Sequence, residues 1–188
     1  MSKKILILII VILVSLGGFL LWKKSRQNTP FESGGSQAST ESSDLTYKNS
    51  QYGFSFQKPE GYTVGEFDQD EGKMILVQMS KMPLDTKNAV SKGILDIGFQ
   101  ILISPFDEAD AVITKARINK EIPDMKVENS AEILVADSKG LQFESNNSAF
   151  SGKSFEVWFV RGTDLYQISG YIESEQVIKD TLNSWKFE

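Results

Sequence analysis

Residues 153–172 read KSFEVWFVRGTDLYQISGYI, and this stretch decides the fold of the chain. Two runs rich in aromatic and β-branched residues, 153–160 and 164–172, flank the short polar segment Arg161-Gly-Thr-Asp164. Runs of this composition, joined by a short turn with glycine, are typical of paired antiparallel strands. The stretch therefore predicts a β-hairpin, and it places an antiparallel sheet at the centre of the fold.

Other segments show the alternation or the β-branched composition of strands. The predicted strands are residues 51–57, 73–79, 94–103, 126–136 and 140–145, with a short extension at 62–67. In the fourth of these strands one face is predicted to carry Val127, Ala131, Ile133 and Val135. Because most of the connections are short, neighbouring strands are expected to run antiparallel.

Two segments show helical periodicity instead. The acidic residues Asp107, Glu108 and Asp110 predict the start of the first helix, since carboxylates favour a helix N-terminus, and Pro123 follows its end. The apolar stripe of this helix is Ala109, Val112, Ile113 and Ala116. The second helix is predicted at 174–185, with Val177, Ile178, Leu182 and Trp185 on one side. Together these elements predict an α+β fold with a mainly antiparallel sheet flanked by helices.

The longest apolar run begins at Ile5 and ends at Trp22, and it holds no charge. As a helix it would be roughly 27 Å long, close to the roughly 30 Å hydrocarbon core of a bilayer. We expect residues 1–26 to form one transmembrane helix with basic flanks that stays uncleaved as a signal-anchor. A cleaved signal peptide is the alternative, but no clear A-x-A-like cleavage site is present.

The composition changes after this run. Residues 27–44, QNTPFESGGSQASTESSD, are too polar to offset the entropy of ordering, and they predict a flexible linker. Residues 45–188 have the length of an ordinary globular domain. Lysines flank the apolar run on both sides, so the charge bias is nearly balanced. We expect an extracytoplasmic domain because a long domain translocates largely regardless of its charge.

Composition also excludes several classes of function. Residues 27–188 hold 15 basic against 25 acidic side chains, a balance that repels phosphate backbones and disfavours nucleic-acid binding. The chain has no cysteine and no histidine, which removes thiol nucleophiles, imidazole bases, Cys/His zinc sites and disulfides. We therefore expect no cofactor, and a domain that is stabilised by its hydrophobic core alone.

The order of several short motifs resembles the PsbP-like, or Mog1/PsbP-fold, family. The segment that carries this likeness opens with Tyr47-Lys-Asn49, Tyr52-Gly-Phe-Ser-Phe56 and Pro59-Glu-Gly-Tyr62, although the family usually has Trp at the position of Tyr62. It continues through residues 136–143, the hairpin with Tyr166, and the closing Ser184-Trp-Lys-Phe187. The likeness covers about residues 47–187, nearly the whole domain.

The resemblance implies an α/β/α sandwich around an antiparallel sheet, but no single activity. The family includes an extrinsic photosystem protein, a small-GTPase-binding protein and many membrane-anchored bacterial domains. No contact residue of the first two carries over to this chain. The membrane-anchored bacterial type is nearest in layout.

Three groups of side chains are candidates for a site. Asp68, Asp70 and Glu71 could hold Ca²⁺ or Mn²⁺, but their spacing fails the EF-hand pattern, and a solvated hairpin tip explains them as well. The acidic cluster at 107–110 is explained by helix capping. A third group, Trp158, Tyr166 and Tyr171, would bind a glycan or peptide if these side chains faced outward together. We assign no catalytic, cofactor-binding or metal-binding residue.

The leading hypothesis is a membrane-tethered extracytoplasmic domain that is not an enzyme and that binds or scaffolds a protein or envelope component. The lipid bilayer would be its second partner, through the run from Ile5 to Trp22. One alternative is an envelope hydrolase that uses two carboxylates about 5–10 Å apart. Another alternative is a calcium-dependent binding module.

Overall fold

The computed structural model describes residues 45–79, 98–108, 110–150 and 152–188. The strands in these residues are β1 (Thr46–Asn49), β2 (Phe54–Gln57), β3 (Tyr62–Gln69), β4 (Gly72–Met79), β5 (Gly98–Pro105), β6 (Glu128–Val135), β7 (Ser138–Ser145), β8 (Ser154–Arg161), β9 (Asp164–Tyr171) and β10 (Lys186–Phe187). The helices are α1 (Lys115–Glu121), a 3₁₀ turn (Ile172–Ser174) and α2 (Glu175–Asn183).

The strands form two antiparallel sheets. A seven-stranded sheet has the order β3-β4-β5-β9-β8-β7-β6, and a small sheet has the order β1-β2-β10. Every pairing in both sheets is antiparallel. With two helices in the described residues, the chain has the α+β, mainly antiparallel fold that the sequence predicts.

The hairpin predicted from residues 153–172 is confirmed as β8 and β9. Arg161 pairs with Asp164, so Gly162 and Thr163 form the turn, and Gly162 adopts a left-handed φ of 60°. A two-residue turn of this kind matches the twist of the strands that it joins. The hairpin lies inside the sheet because β5 pairs with the free side of β9 and β7 pairs with the free side of β8.

One face of the seven-stranded sheet packs against the small sheet and α2. Phe54 and Phe56 of β2 are buried, and the Phe54 ring stacks on that of Trp185 with centroids 4.3 Å apart. Ile178 and Leu182 of α2 join the same hydrophobic cluster. Burying aromatic and aliphatic side chains of this size stabilises the fold by roughly 1.5–3 kcal/mol for each residue.

The segment 51–57 departs from its prediction because the strand begins at Phe54, three residues late. Gly53 adopts a left-handed φ of 61°, and the side chain of Asn49 accepts a hydrogen bond from the backbone N–H of Tyr52. These residues form the turn between β1 and β2, and β1 is a strand that the sequence pattern did not predict. The extension at 62–67 is instead a full eight-residue strand, β3. Residues 94–97 of another predicted strand lie outside the described residues.

The second predicted helix is shorter than expected. Its apolar side is correct, but α2 ends at Asn183, and the chain then turns so that Trp185 enters the core. The last residues form β10, which pairs with β2. The closing motif thus ends as a strand that completes the small sheet.

The predicted anchor, from Ile5 to Trp22, and the linker at 27–44 lie outside the described residues. In the described part of the chain, neither helix has the length and apolar character that crossing a membrane requires.

Candidate functional site

A groove opens beside the hairpin of β6 and β7, at the end of the large sheet. Its floor includes Glu132, Leu134, Lys139 and Leu141, and residues 112–115 form its wall. Leu134 pairs with Lys139, and Glu132 pairs with Leu141, so these four side chains share one sheet face. The cavity volume is about 500 Å³. We call it the β6–β7 groove, and its size suits a few side chains of a peptide or a small organic group.

The groove exposes apolar side chains. Leu134 is 64% exposed and Val112 is 50% exposed, and they line the floor and the wall. Among the residues that the structure describes, the other large hydrophobic side chains with high exposure are those of Leu45 and Phe67. Scattered apolar side chains on a surface are ordinary, whereas two that flank one groove are typical of a binding surface.

Two cations also line the groove. Lys115 lies on the wall and Lys139 on the floor, and neither forms an ion pair with any residue that the structure describes. Glu132 is the one acidic side chain in the lining. The groove is therefore locally basic, although the chain as a whole has a net charge of −5.

Hydrogen bonds around Arg117 fix the wall of the groove. Its guanidinium donates to the backbone carbonyl of Asp110 at 2.5 Å and to the carboxylate of Glu121 at 3.0 Å, and it forms an ion pair with Glu108. It also lies 4.8 Å from the ring centroid of Phe106. Because four groups hold one partly buried guanidinium, residues 106–121 keep a defined path beside the sheet.

The acidic cluster was therefore wrongly interpreted as the cap of α1. The helix begins at Lys115, and the hydroxyl of Thr114 accepts the backbone N–H of Arg117. Asp110 instead accepts the backbone N–H of Val112 within the preceding loop. A threonine cap and a carboxylate two residues before its donor satisfy different backbone N–H groups, and the sequence pattern alone does not separate the two arrangements.

The edge of the sheet next to the groove is uncovered. The two-residue turn Ala136–Asp137 makes Val135 and Ser138 a hydrogen-bonded pair. Along β6 the residue pairs then alternate between hydrogen-bonded and non-hydrogen-bonded pairs. The backbone N–H and C=O groups of Glu132 and Leu134 consequently point away from β7. No described residue forms a hydrogen bond with these backbone groups. Such an edge is a template on which another strand can pair.

The far end of β6 is fixed by an ionic cluster. Lys153 lies 2.9 Å from the carboxylates of both Glu128 and Glu144, and the amide of Asn129 donates to Glu144. The bonds from Lys153 lower the pKa of Glu128, and the bonds from Asn129 and Lys153 lower that of Glu144. A glycosidase needs one carboxyl group with a raised pKa as its acid. This pair lacks one.

A carboxyl group with a raised pKa is buried elsewhere in the sheet. Glu156 of β8 is fully buried, and burial raises its pKa. Its carboxylate accepts hydrogen bonds from Ser145 (3.2 Å), Asn147 (3.1 Å), Ser154 (2.8 Å), Trp158 (3.2 Å) and Ser169 (2.5 Å). These partners occupy both of its oxygens. Glu156 thus joins three strands and the loop after β7, and it is not one of the residues that line the groove.

The other predicted candidates do not form a site together. Asp68 lies 3.5 Å from Lys73 in the β3–β4 hairpin, and Asp70 and Glu71 form its exposed turn. Within the described residues, no three acidic side chains are placed to hold one metal ion.

The three aromatic residues are also separated. Tyr166 lies in the main core, 1% exposed, and the Trp158 indole is buried on the opposite face beside Glu156. Tyr171 packs against Phe150 with ring centroids 5.0 Å apart. They do not face outward together, so the condition for an aromatic binding surface is not met.

Sequence reasoning missed both the groove and the Glu156 network. A signal for the network was present, because Glu156 and Ser169 are polar residues at facing positions of an apolar hairpin. A signal for the groove was weaker. Assigning Ile133 and Val135 to one face leaves Leu134 on the other, but nothing local places Val112 opposite it.

Comparisons with known proteins do not assign a function to the groove or to the Glu156 network. No protein-family model matches the sequence, and no curated protein matches it. The chain is similar to a solved structure from Bacteroides thetaiotaomicron VPI-5482 (TM-score 0.46, 11% identity, 77% of this chain and 48% of that one). It is also similar to cyanobacterial PsbP (CyanoP) from Synechocystis sp. PCC 6803 (TM-score 0.44, 12% identity, 76% and 91%). The chain spans about half the length of the Bacteroides protein. Both scores are too low to carry an argument about membership or function.

Proposed function

We propose that the chain is a membrane-tethered, extracytoplasmic domain that binds a protein partner through the β6–β7 groove and catalyses no reaction. The observation that carries the proposal is the pairing of an uncovered sheet edge with a groove lined by the exposed side chains of Leu134 and Val112. Exposed apolar surface at a defined concavity is typical of binding sites. The uncharged run from Ile5 to Trp22 supports the tether.

The carboxylates support a binding role over hydrolysis. Glu128 and Glu144 both form ion pairs with Lys153, and Glu156 is enclosed by five donors. General acid–base catalysis needs a carboxyl group within hydrogen-bond reach of a substrate. None of these three groups lines the groove.

The proposal also includes a family for the domain. We infer a PsbP-like domain of the membrane-anchored bacterial type, on the strength of the motif order from Tyr47 to Phe187 and of the apolar run that precedes it. In this layout a flexible linker would let the domain reach a partner at roughly 20–25 Å from the membrane surface.

Site-directed cross-linking tests the binding role. The natural chain has no cysteine, so each variant with one added cysteine carries a single thiol. Full-length Val112→Cys bears a photoreactive group in the groove, and Phe67→Cys bears it at an exposed site on β3 as the matched control. We expect a covalent adduct of one defined mass from Val112→Cys in native membranes and none from Phe67→Cys. Equal labelling from both positions, or none from either, would contradict the proposal.

A further inference from the structure

We propose that β6 binds a short acidic segment of a partner protein, which adds to the large sheet as an extra strand and places an apolar side chain in the β6–β7 groove. This inference rests on the binding role proposed above and specifies the chemistry of the partner. It follows from three properties of the groove: its free backbone groups, its apolar lining and its charge.

The backbone of β6 limits the length of the added strand. The free N–H and C=O groups belong to Glu132 and Leu134, which are two residues apart on the outer edge of β6. On one side the ladder is interrupted by a bulge between Glu128 and Ala131, where Asn129 has a φ of 47°. On the other side the chain turns at Ala136–Asp137. Pairing is therefore restricted to about five residues, because a bulge ends regular pairing.

The apolar lining specifies what the added strand must carry. A side chain on the groove face of that strand would lie beside Leu134 and below the wall that carries Val112. Strand addition combines main-chain hydrogen bonds for affinity with side-chain pockets for specificity. The central residue of the partner segment is thus expected to be apolar and β-branched, since these residues favour extended backbone.

The charge of the groove selects an acidic partner. Lys115 and Lys139 flank the apolar centre without ion pairs to any described residue, and Glu132 offsets only one of them. A second copy of this chain is a poor occupant because residues 27–188 carry 25 acidic against 15 basic side chains. Two such domains repel each other because each carries a net negative charge. A short acidic segment instead places its charges close to Lys115 and Lys139 only.

Peptide binding to the full-length chain in neutral detergent tests the inference. The probe is a fluorescent seven-residue peptide with three β-branched apolar residues at its centre and two aspartates at each end. Its counterparts carry lysine for aspartate, or N-methyl groups on alternate backbone amides. We expect the acidic peptide to bind at least about tenfold tighter than either counterpart. Equal binding of the N-methylated peptide would exclude strand addition.

Surface variants locate the binding. Leu134→Asp should weaken the acidic peptide about tenfold, and Lys115→Glu with Lys139→Glu should reverse the preference toward the lysine peptide. Phe67→Ala and Lys186→Glu are matched controls at exposed sites away from the groove and should bind as the natural chain does. Binding that ignores the groove variants would overturn the proposal. A change of oligomeric state in the groove variants would do the same, because it would identify the occupant as a second copy.

The two proposals fail separately. If Val112→Cys captures a partner in membranes but the acidic peptide does not bind, the strand-addition model is wrong and the binding role stands. If the peptide binds as expected but no partner is captured, the chemistry of the groove is correct and the binding role in the membrane is wrong.

Discussion

Glu156 is the residue whose environment has the clearest measurable consequence. Burial raises its pKa above the ordinary value of 4.5, although the hydrogen bonds from Ser169, Ser154, Asn147 and Trp158 oppose the shift. The folded chain then binds a proton more tightly than the unfolded chain does. Stability contributed by this group is therefore fully present below about pH 4.5 and declines as the pH rises through the folded pKa. We expect the free energy of unfolding of the natural chain, relative to Glu156→Gln, to fall as the pH rises above 4.5.

Urea unfolding between pH 4 and pH 9 measures this difference. Glu156→Gln keeps the shape of the side chain without its charge, so subtracting its curve isolates the titration of one carboxyl group. Glu156→Ala is the comparison that removes the acceptor, and we expect it to lose roughly 1–3 kcal/mol because buried donors are left unpaired. A difference between the natural chain and Glu156→Gln that rises with pH would mean that the five donors outweigh burial.

Gly140 illustrates a second constraint at a single residue. A Cβ atom at this position would lie 2.7 Å from the carbonyl oxygen of Trp158 and 2.8 Å from the Cβ of Phe159. Neither neighbour can move without displacing β8. We expect Gly140→Ala to destabilise the fold by roughly 1–3 kcal/mol, as overpacking does. Gly152→Ala has open space, but its φ of 108° makes it the control for strain alone. Thermal unfolding of both variants separates the two effects, and an unaffected Gly140→Ala chain would contradict the expectation.

At the scale of the element, the β6–β7 hairpin carries a correctable strain. Its turn residues, Ala136 and Asp137, have φ values of 41° and 70°, and both lie in the left-handed region. A turn with positive φ at both positions prefers Asn-Gly. We expect Ala136→Asn with Asp137→Gly to raise the free energy of unfolding by about 0.5–1 kcal/mol. Ala136→Val should lower it, because β-branched residues are strongly disfavoured there, and a stabilised Ala136→Val chain would contradict the assignment of the turn.

The elements also explain which parts of the fold the sequence could predict. The β8–β9 hairpin, α2 and most strands follow from local periodicity, because each buries a face whose pattern lies within about ten residues. The start of α1 could not be read in the same way. The acids before it serve Arg117 and Val112, and Thr114 caps the helix. The error arose because carboxylates satisfy loop amides and helix amides equally well.

At the scale of the whole molecule, the candidate site is harder to predict than the fold. The groove joins Val112, in the connection before α1, to Leu134 of β6, and only the path of residues 106–121 across the sheet makes them face each other. That path depends on Arg117, whose ion-pair partners span 14 positions, from Glu108 to Glu121. A side chain with several distant partners leaves no periodic signal. Sequence patterns therefore predict the strands of a sheet more readily than the grooves beside it.

The proposed tether makes the side of the membrane on which the domain would lie a property that a simple measurement can decide. The chain has no cysteine, so Ser50→Cys, at an exposed turn of the domain, and Ser2→Cys, in the basic head before the apolar run, each carry one thiol. We expect a membrane-impermeant maleimide to label Ser50→Cys in intact cells and to label Ser2→Cys only after the cells are permeabilised. This follows because a short basic head is retained inside while a long domain crosses. The reverse pattern would place the domain and its groove inside the cell, where an acidic partner segment would have to be cytoplasmic.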